Sequence, residues 1–172
     1  MKLNLEELTF LSLKNEYVDE ILSLQARIFH ALPSPELLRK NSAEMFLECT
    51  ESPNDTLGVF HEDRLCAVGI LYVPKDETED LSHLLLDVAI EKMRSANYKL
   101  CMVDVEYRGN GLQIELGKRL EQRAKEKKID LLCATVSPLN EYSLKNMQSL
   151  GYVRNRTLQK YGMTRELFYK FI

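Results

Sequence analysis

Two short apolar runs, separated by one amphipathic stretch, constrain the fold of this chain most. The runs are "LCMVDV" (residues 100–105) and "LLCATV" (Leu131–Val136), and both are typical of buried strands. Between them, residues 112–127 carry an apolar side chain at every fourth position and charges on the other faces, as an amphipathic helix does. Strand, helix and strand together have the length of a parallel crossover. The C-terminal half therefore predicts a parallel strand pair.

Shorter patterns predict the remaining elements. Apolar runs bounded by turn residues indicate further strands at residues 8–13, 56–60, 65–73, 152–158 and 166–172. The first of these reads as an edge strand, and the last two as an antiparallel pair. Helical periodicity indicates helices at residues 19–29, 43–49, 81–96 and 141–150, and a further helix that opens with Ser34 and Pro35. Asn140 is the expected N-cap of the helix at 141–150, and Gly151 follows its end.

Length and charge narrow the class of protein. The 172 residues fit one domain, residues 1–172. The net charge is −3 with acids and bases interspersed, which argues against nucleic acid or an anionic membrane as the main partner. The N-terminus lacks the apolar core of a signal peptide, and no apolar run approaches the ~18 residues of a membrane span. We therefore expect a soluble, cytoplasmic protein without a membrane partner.

The positions of the histidines and cysteines indicate whether the chain can bind a metal or form disulfides. The three histidines are scattered without ligand spacing, so no metal site is expected. No two cysteines form a C-x-x-C pair, and most lie in apolar runs, as reduced core residues of a cytosolic protein do. The four are Cys49, Cys66, Cys101 and Cys133.

The stretch "VEYRGNGLQ" (residues 105–113) carries the first functional signal. Asn-Gly is a strong hairpin signal, but the residues after Gly111 repeat at a helical period, so the loop joins a strand to a helix. The first turn of a helix attracts anions, Gly109 and Gly111 allow a phosphate to approach closely, and Arg108 adds a charged fork. On spacing alone, a phosphate site and a plain loop with a solvent-facing arginine remain equally supported.

Two phosphate-binding motifs are excluded in this loop. No G-x-x-x-x-G-K-[ST] sequence is present, so it is not a nucleoside-triphosphate P-loop. A dinucleotide fingerprint needs a third glycine, and its position is occupied by Ile114.

The run "VDVEYRGNGLQIELGKRL…LLCATVSPLNEYSLKNMQSLGY" resembles the GNAT superfamily of acyl-coenzyme-A-dependent N-acetyltransferases. The family's first signature, Q/R-x-x-G-x-G/A, is matched by Arg108 and Gly111, with Gln113 in place of the last small residue. The second signature is an Asn, a small residue three positions on, and a closing Gly-aromatic pair. It is matched by Asn140, Ser143, Gly151 and Tyr152. The resemblance is strong over about residues 98–172 and weaker before them.

The resemblance implies an α/β fold with a twisted mixed sheet of about seven strands, whose fourth and fifth strands splay apart around the pantetheine arm of acetyl-CoA. Backbone groups at Val103, Asp104 and Val105 would pair with the pantetheine amides. Asn140 and Ser143 would also touch the cofactor, or serve only to cap their helix. The pyrophosphate would be held by Arg108 and by the N–H groups of Gly109, Asn110, Gly111, Leu112 and Gln113.

The implied reaction is direct attack by an amine on the acetyl thioester in a ternary complex. Deprotonating an alkylammonium at neutral pH costs about 4 kcal/mol, whereas leaving the thiol unprotonated costs only about 2 kcal/mol. A general base therefore matters more than a general acid. The nearest acids to the family's base position are Asp104 and Glu106. Asp104 is the candidate base, and the alternative, which the residues favour, is a solvated strand-end carboxylate. Met147 occupies the position of the tyrosine that serves the family as general acid. Tyr142 is either its substitute or a residue that packs on the surface.

Several alternatives stay open from the sequence. Met147 and the missing strand-four glutamate also suit a non-catalytic acyl-CoA-binding or sensing module. The acceptor amine is either a small molecule or a protein amino group, and Tyr161 is either an acceptor-side residue or a hairpin aromatic. A homodimer paired through the C-terminal strands is consistent with the resemblance.

Overall fold

A computed structural model describes residues 2–172 of the chain. Its sheet has seven strands: β1 (Leu8–Ser12), β2 (Asp55–His61), β3 (Arg64–Tyr72), β4 (Ser95–Val103), β5 (Leu131–Val136), β6 (Val153–Lys160) and β7 (Met163–Phe171). Within the described residues, four α-helices accompany it: α1 (Val18–Ala31), α2 (Ala43–Cys49), α3 (Leu112–Glu126) and α4 (Glu141–Ser149). The predicted α/β class and mixed seven-stranded sheet are confirmed.

The strand order explains where a site can form. It runs β1-β2-β3-β4-β5-β7-β6, and β4 and β5 are the parallel pair within an otherwise antiparallel sheet. The crossover through α3 therefore joins two strands at the centre of the sheet, as the sequence predicts. The other predicted features of the sheet, the edge position of β1 and the antiparallel closing pair of β6 and β7, are also confirmed.

Each face of the sheet has its own core. The apolar stripe of α3 packs on one face together with Met147 and Leu150 at the end of α4. On the other face, four residues of α1 and two of α2 are buried against β3 and β4. Burial of these stripes, at about 25 cal/mol per Å² of apolar surface, accounts for the helical periodicity in the sequence.

The helix predicted at residues 81–96 is wrong. A short 3-10 turn, Leu81–Leu84, opens the segment, an irregular loop follows, and residues from Ser95 onward already belong to β4. Asp87 and Lys92 have positive φ angles, which interrupt a helix. The apolar spacing predicted a helix here, but the segment does not bury one continuous apolar stripe, because Leu86 and Met93 are exposed.

Two smaller expectations are also settled by the structure. The segment that opens with Ser34 and Pro35 is a single 3-10 turn, Pro35–Leu37, in which the Ser34 hydroxyl accepts a hydrogen bond from the Glu36 N–H. The thiols of all four cysteines are free. In the described part of the chain, every helix is too short or too polar to cross a lipid bilayer.

Candidate functional site

A cleft opens where β4 and β5 separate. Their parallel pairing covers three residue pairs, the last of which is Asn97 with Cys133. Beyond that pair, the residues from Tyr98 to Cys101 and from Ala134 to Ser137 line a cleft that is open to solvent. The backbone of β4 along this stretch pairs with β3 on its other edge only. A ligand with amide groups can therefore hydrogen-bond to β4 in the gap.

The glycine loop lies between β4 and α3. Gly111 precedes α3 with a φ of +70°, and Gly109 has a φ of +81°, so both need the left-handed region that glycine tolerates. A Cβ added at either glycine would meet no atom within 4 Å among the described residues. The positive end of the α3 dipole therefore faces open space that admits an anion.

Polar side chains tie this loop to α4. Gln113 Nε2 donates to Ser143 Oγ over 3.0 Å, and Gln113 Oε1 accepts from Asn146 Nδ2 over 2.8 Å. Asn140 caps α4 by accepting a hydrogen bond from the Ser143 N–H over 3.1 Å. Gln113, Asn140 and Ser143 also line the cleft, as does the buried Met147. The first turns of α3 and α4 thus form one wall of the cleft.

A β-bulge in β4 places Lys99 and Leu100 on the same side of the sheet. Leu71 pairs with Tyr98 and Ile70 with Leu100, which leaves Lys99 without a register partner. Tyr98 packs with the α3 core, Leu100 packs with the α1 and α2 core, and Lys99 Nζ lies 4.1 Å from the Tyr72 ring of that same core. The consecutive residues Lys99 and Leu100 therefore face the same side of the sheet, as a bulge requires.

The titratable groups in the cleft differ in their ionisation. Burial lowers the pKa of Lys99, an effect that the nearby acidic groups oppose. Burial also raises the pKa of Cys101 to about 12 and raises the pKa of Tyr98 well above its ordinary value. At neutral pH the thiol and the phenol are therefore protonated, whereas the pKa of Lys99 moves toward neutrality, as does that of Arg165.

Solved acetyltransferase structures superpose on nearly the whole chain. An acetyltransferase of the GNAT family from Streptococcus pneumoniae is 16% identical, covers 96% of this chain and 99% of its own, and gives a TM-score of 0.70. The ribosomal-protein-S18-alanine N-acetyltransferase from Escherichia coli is 17% identical, covers 96% of this chain and 94% of its own, and also gives a TM-score of 0.70. This chain has the GNAT fold.

A further GNAT-fold neighbour was solved with a ligand. The protein yncA from Salmonella typhimurium, 13% identical with a TM-score of 0.70, covers 96% of this chain and 94% of its own, and was crystallised with acetyl-CoA as its cofactor. No protein-family model and no curated protein sequence matches the chain. Identities this low make the likeness one of fold.

Within this GNAT fold, the residues predicted to bind the cofactor separate into two groups. Gln113, Asn140 and Ser143 line the cleft. The others lie at the end of β4 and in the glycine loop: Val103, Asp104, Val105, Arg108, Gly109, Asn110, Gly111 and Leu112. Among this second group, Arg108 Nε donates to the Val103 carbonyl oxygen over 3.4 Å, and Leu112, the first residue of α3, is buried.

Asp104 and Tyr142, the residues predicted from the sequence to be catalytic, lie apart from the cleft. Asp104 is 4% exposed, and its Oδ2 accepts from Arg27 Nε over 2.8 Å and from Arg64 Nη2 over 2.9 Å. Burial raises the pKa of Asp104, but the hydrogen bonds and charges of both arginines outweigh burial and leave that pKa below its ordinary value. Tyr142 is 84% exposed on α4. Neither residue lines the cleft.

Sequence reasoning missed the cationic residues of the cleft, Lys99 and Arg165. Lys99 stands beside an apolar run, and nothing in the sequence reveals the bulge at this point of β4. Arg165 precedes the last apolar run, where a charge reads as a solvent-facing strand residue, yet it is buried. Tyr161, with a φ of +58° in the β6–β7 turn, stacks under the guanidinium of Arg39 at 3.9 Å.

Proposed function

We propose that this protein transfers an acetyl group from acetyl-CoA to an amine. The observation that carries the proposal is the gap between β4 and β5, which opens beside a glycine loop at the start of a helix. An extended pantetheine arm fits such a gap, and a diphosphate fits the open space before α3. The neighbours share so little sequence identity with this chain that they support only its fold. The proposed activity therefore rests on the geometry of the site.

The residues that would hold acetyl-CoA are drawn from three places. Backbone groups of β4 from Tyr98 to Met102 that β5 leaves unpaired face the gap and suit the amides of pantetheine. The N–H groups of Gly109 to Gln113, with Arg108, suit the diphosphate, and Asn140 and Ser143 suit the arm where it passes α4. When bound, acetyl-CoA would supply an activated acetyl thioester.

The chemistry requires a neutral amine. The acceptor nitrogen forms a bond to the acetyl carbon, the carbon–sulfur bond breaks, and the proton lost by the nitrogen balances the proton gained by the thiolate in solution. We assign Lys99 as the proton acceptor, because the lowered pKa of its amine increases the neutral fraction and because it faces the cleft. The cations around the cleft also disfavour the ammonium form of a bound amine.

Coenzyme A binding tests the proposal directly. In calorimetry, the protein should bind coenzyme A, and Gly111→Trp should weaken the affinity at least tenfold, because the indole fills the space before α3. Gly162→Trp is the matched control: Gly162 has a φ of +71° and also has open space around it, but it lies in the β6–β7 turn. Both variants should lose about 1 to 2 kcal/mol of stability through backbone strain. No binding at millimolar coenzyme A would falsify the proposal.

The second candidate is a non-catalytic acyl-CoA-binding module. Met147 stands where the family has an acidic tyrosine, and no Asp or Glu of the described chain lines the cleft. Release of coenzyme A from acetyl-CoA separates the two candidates when assayed over a panel of amines. Turnover of any amine well above the hydrolysis rate excludes the binding module, whereas tight binding without turnover supports it.

A further inference from the structure

A buried arginine projects into the cleft with part of its guanidinium unused. Arg165 is 8% exposed, donates from Nη2 to the Thr135 carbonyl oxygen over 3.0 Å, and from Nε to Thr135 Oγ1 over 3.4 Å. Its Nη1 is buried and has no hydrogen-bond partner among residues 2–172. Leaving a buried charged donor unpaired carries a desolvation cost that no hydrogen bond offsets. A ligand that supplies an acceptor oxygen would remove this cost.

The surroundings of Arg165 are positively charged and lack a balancing acid. Lys99 lines the same cleft, and no Asp or Glu among the described residues does. Arg39 follows two cleft-lining residues, Leu37 and Leu38. Burial lowers the pKa of Arg165 most, Tyr161 opposes this effect, and the charge of Arg39 lowers that pKa further. The two guanidinium groups are therefore close enough to repel one another. Neither guanidinium forms an ion pair with an Asp or Glu of the described chain.

The cationic groups lie on the side of the cleft away from the glycine loop. Thr135, which Arg165 binds, alternates along β5 with Ala134 and Val136, whose side chains pack into the α3 core with Met147. Arg165 and Lys99 therefore face the α1 and α2 side of the sheet. This separates them from Gly109 to Gln113, where the diphosphate of the cofactor fits.

We propose that the acceptor amine also carries an anionic group, a carboxylate or a phosphate, which the guanidinium groups of Arg165 and Arg39 bind in the cleft. The proposal rests on the proposed function, because it specifies the substrate class of the same site. Guanidinium forks match the two oxygens of a carboxylate or phosphate and form paired, charge-assisted hydrogen bonds. The stacking of Arg39 on Tyr161 holds one fork on an aromatic face at the edge of the site.

Matched ligand pairs test the proposal without depending on turnover. The protein saturated with coenzyme A is titrated with glycine, leucine and phenylalanine against their amides, and with phosphoethanolamine against ethanolamine. The charged member should bind at least tenfold more tightly than its partner in at least one set. The amino acid and phosphate sets distinguish a carboxylate from a phosphate. Equal affinity within every pair, or no binding by any member, overturns the proposal.

Variants assign the preference to the two arginines. Arg39→Gln should reduce the preference for the charged member at least fivefold and leave coenzyme A affinity unchanged. Arg165→Lys keeps the charge but removes the fork, and it should also reduce the preference. The lysine variant is preferred to Arg165→Gln because the glutamine variant would also lose the hydrogen bonds to Thr135 and could unfold the protein. Arg119→Gln is the control, since Arg119 pairs with Glu115 on α3 away from the cleft. If both cleft variants keep the wild-type preference for the charged ligand, the assignment of anion binding to Arg39 and Arg165 is wrong.

The same experiment separates this proposal from the one on which it rests. If the wild-type protein does not bind coenzyme A, the proposal of acetyl transfer is wrong, and the ligand pairs are then compared without coenzyme A. Intact coenzyme A binding with equal affinity within every pair defeats the anionic acceptor alone. With acetyl-CoA present, kcat/KM for the charged members should follow the order of their affinities.

Discussion

The side-chain amide of Gln113 donates a hydrogen bond to the hydroxyl of Ser143, 3.0 Å away. Gln113 stands at the start of α3 and Ser143 in the first turn of α4, so this contact joins the glycine loop to the helix that follows β5. The Gln113 side chain also accepts from Asn146. Gln113, which replaces the small residue of the family signature, thus connects the first turns of α3 and α4.

We expect Gln113→Ala to lower both stability and affinity for coenzyme A. Two hydrogen bonds are lost and the Asn146 amide loses its acceptor, which should cost about 1–2 kcal/mol of unfolding free energy. The loop before α3 also loses its anchor to α4, so coenzyme A affinity should fall several-fold. Urea unfolding and calorimetry measure the two effects. Gln122→Ala, at an exposed position of the same helix, should change neither; an unchanged Gln113→Ala protein would contradict the role.

The ion pairs of Asp104 should contribute to stability and not to catalysis. Asp104→Asn removes a buried carboxylate that holds Arg27 and Arg64 together, and should cost about 1–3 kcal/mol, since both arginines are partly exposed. Because the pKa of Asp104 is lower in the folded protein, its stabilisation is present above the ordinary carboxyl pKa and is lost as pH falls through the folded value. Urea unfolding at pH 7 and at pH 2–3 should therefore show a difference between wild type and variant that shrinks in acid.

The kinetics of the same variant discriminate between the two roles of Asp104. Removal of a general base lowers the rate about 10²–10⁴-fold. With the chain folded, Asp104→Asn should keep kcat within a few-fold of wild type. A loss of a hundredfold or more at full occupancy of the folded state would restore Asp104 as the base.

Lys99 should give the reaction an alkaline dependence. Its amine accepts a proton only when neutral, so the rate should rise with pH through the pKa of Lys99, which burial places below the ordinary value for lysine. The assay uses an acceptor amine that ionises below the pH range tested, so that its own titration does not contribute. Lys99→Arg keeps the positive charge and should lose both rate and the rising limb. A pH profile identical to wild type would remove Lys99 from the chemistry.

Tyr142 should be dispensable for the reaction. Its side chain is 84% exposed on α4 and does not line the cleft, so its phenol is poorly placed to protonate a departing thiolate. Failing to protonate that thiolate costs only about 2 kcal/mol at neutral pH, as the thiol pKa requires. Tyr142→Phe should therefore keep kcat within twofold. A tenfold loss without a change in coenzyme A affinity would show that α4 moves to bring the phenol inward.

The sequence by itself determined the central crossover and the glycine loop. Both depend on local rules: a helical period of apolar residues must bury one stripe, and a strand-to-helix loop with two glycines must present helix N–H groups to open space. The same local rules failed at residues 81–96, where apolar spacing without a continuous buried stripe produced an irregular loop. Periodicity predicts a helix only where the tertiary structure supplies a surface to cover the stripe.

Only the tertiary structure decided which charged residues meet in the cleft. Asp104, closest to the expected base in sequence, is drawn toward two arginines from α1 and β3 that lie far from it along the chain. Lys99 lies in the cleft because the β4–β5 pairing ends at Asn97, and Arg165 reaches it through the pairing of β7 with β5. Strand register and a single extra residue determine the face on which a side chain lies, and both are set by long-range pairing that no local sequence pattern encodes.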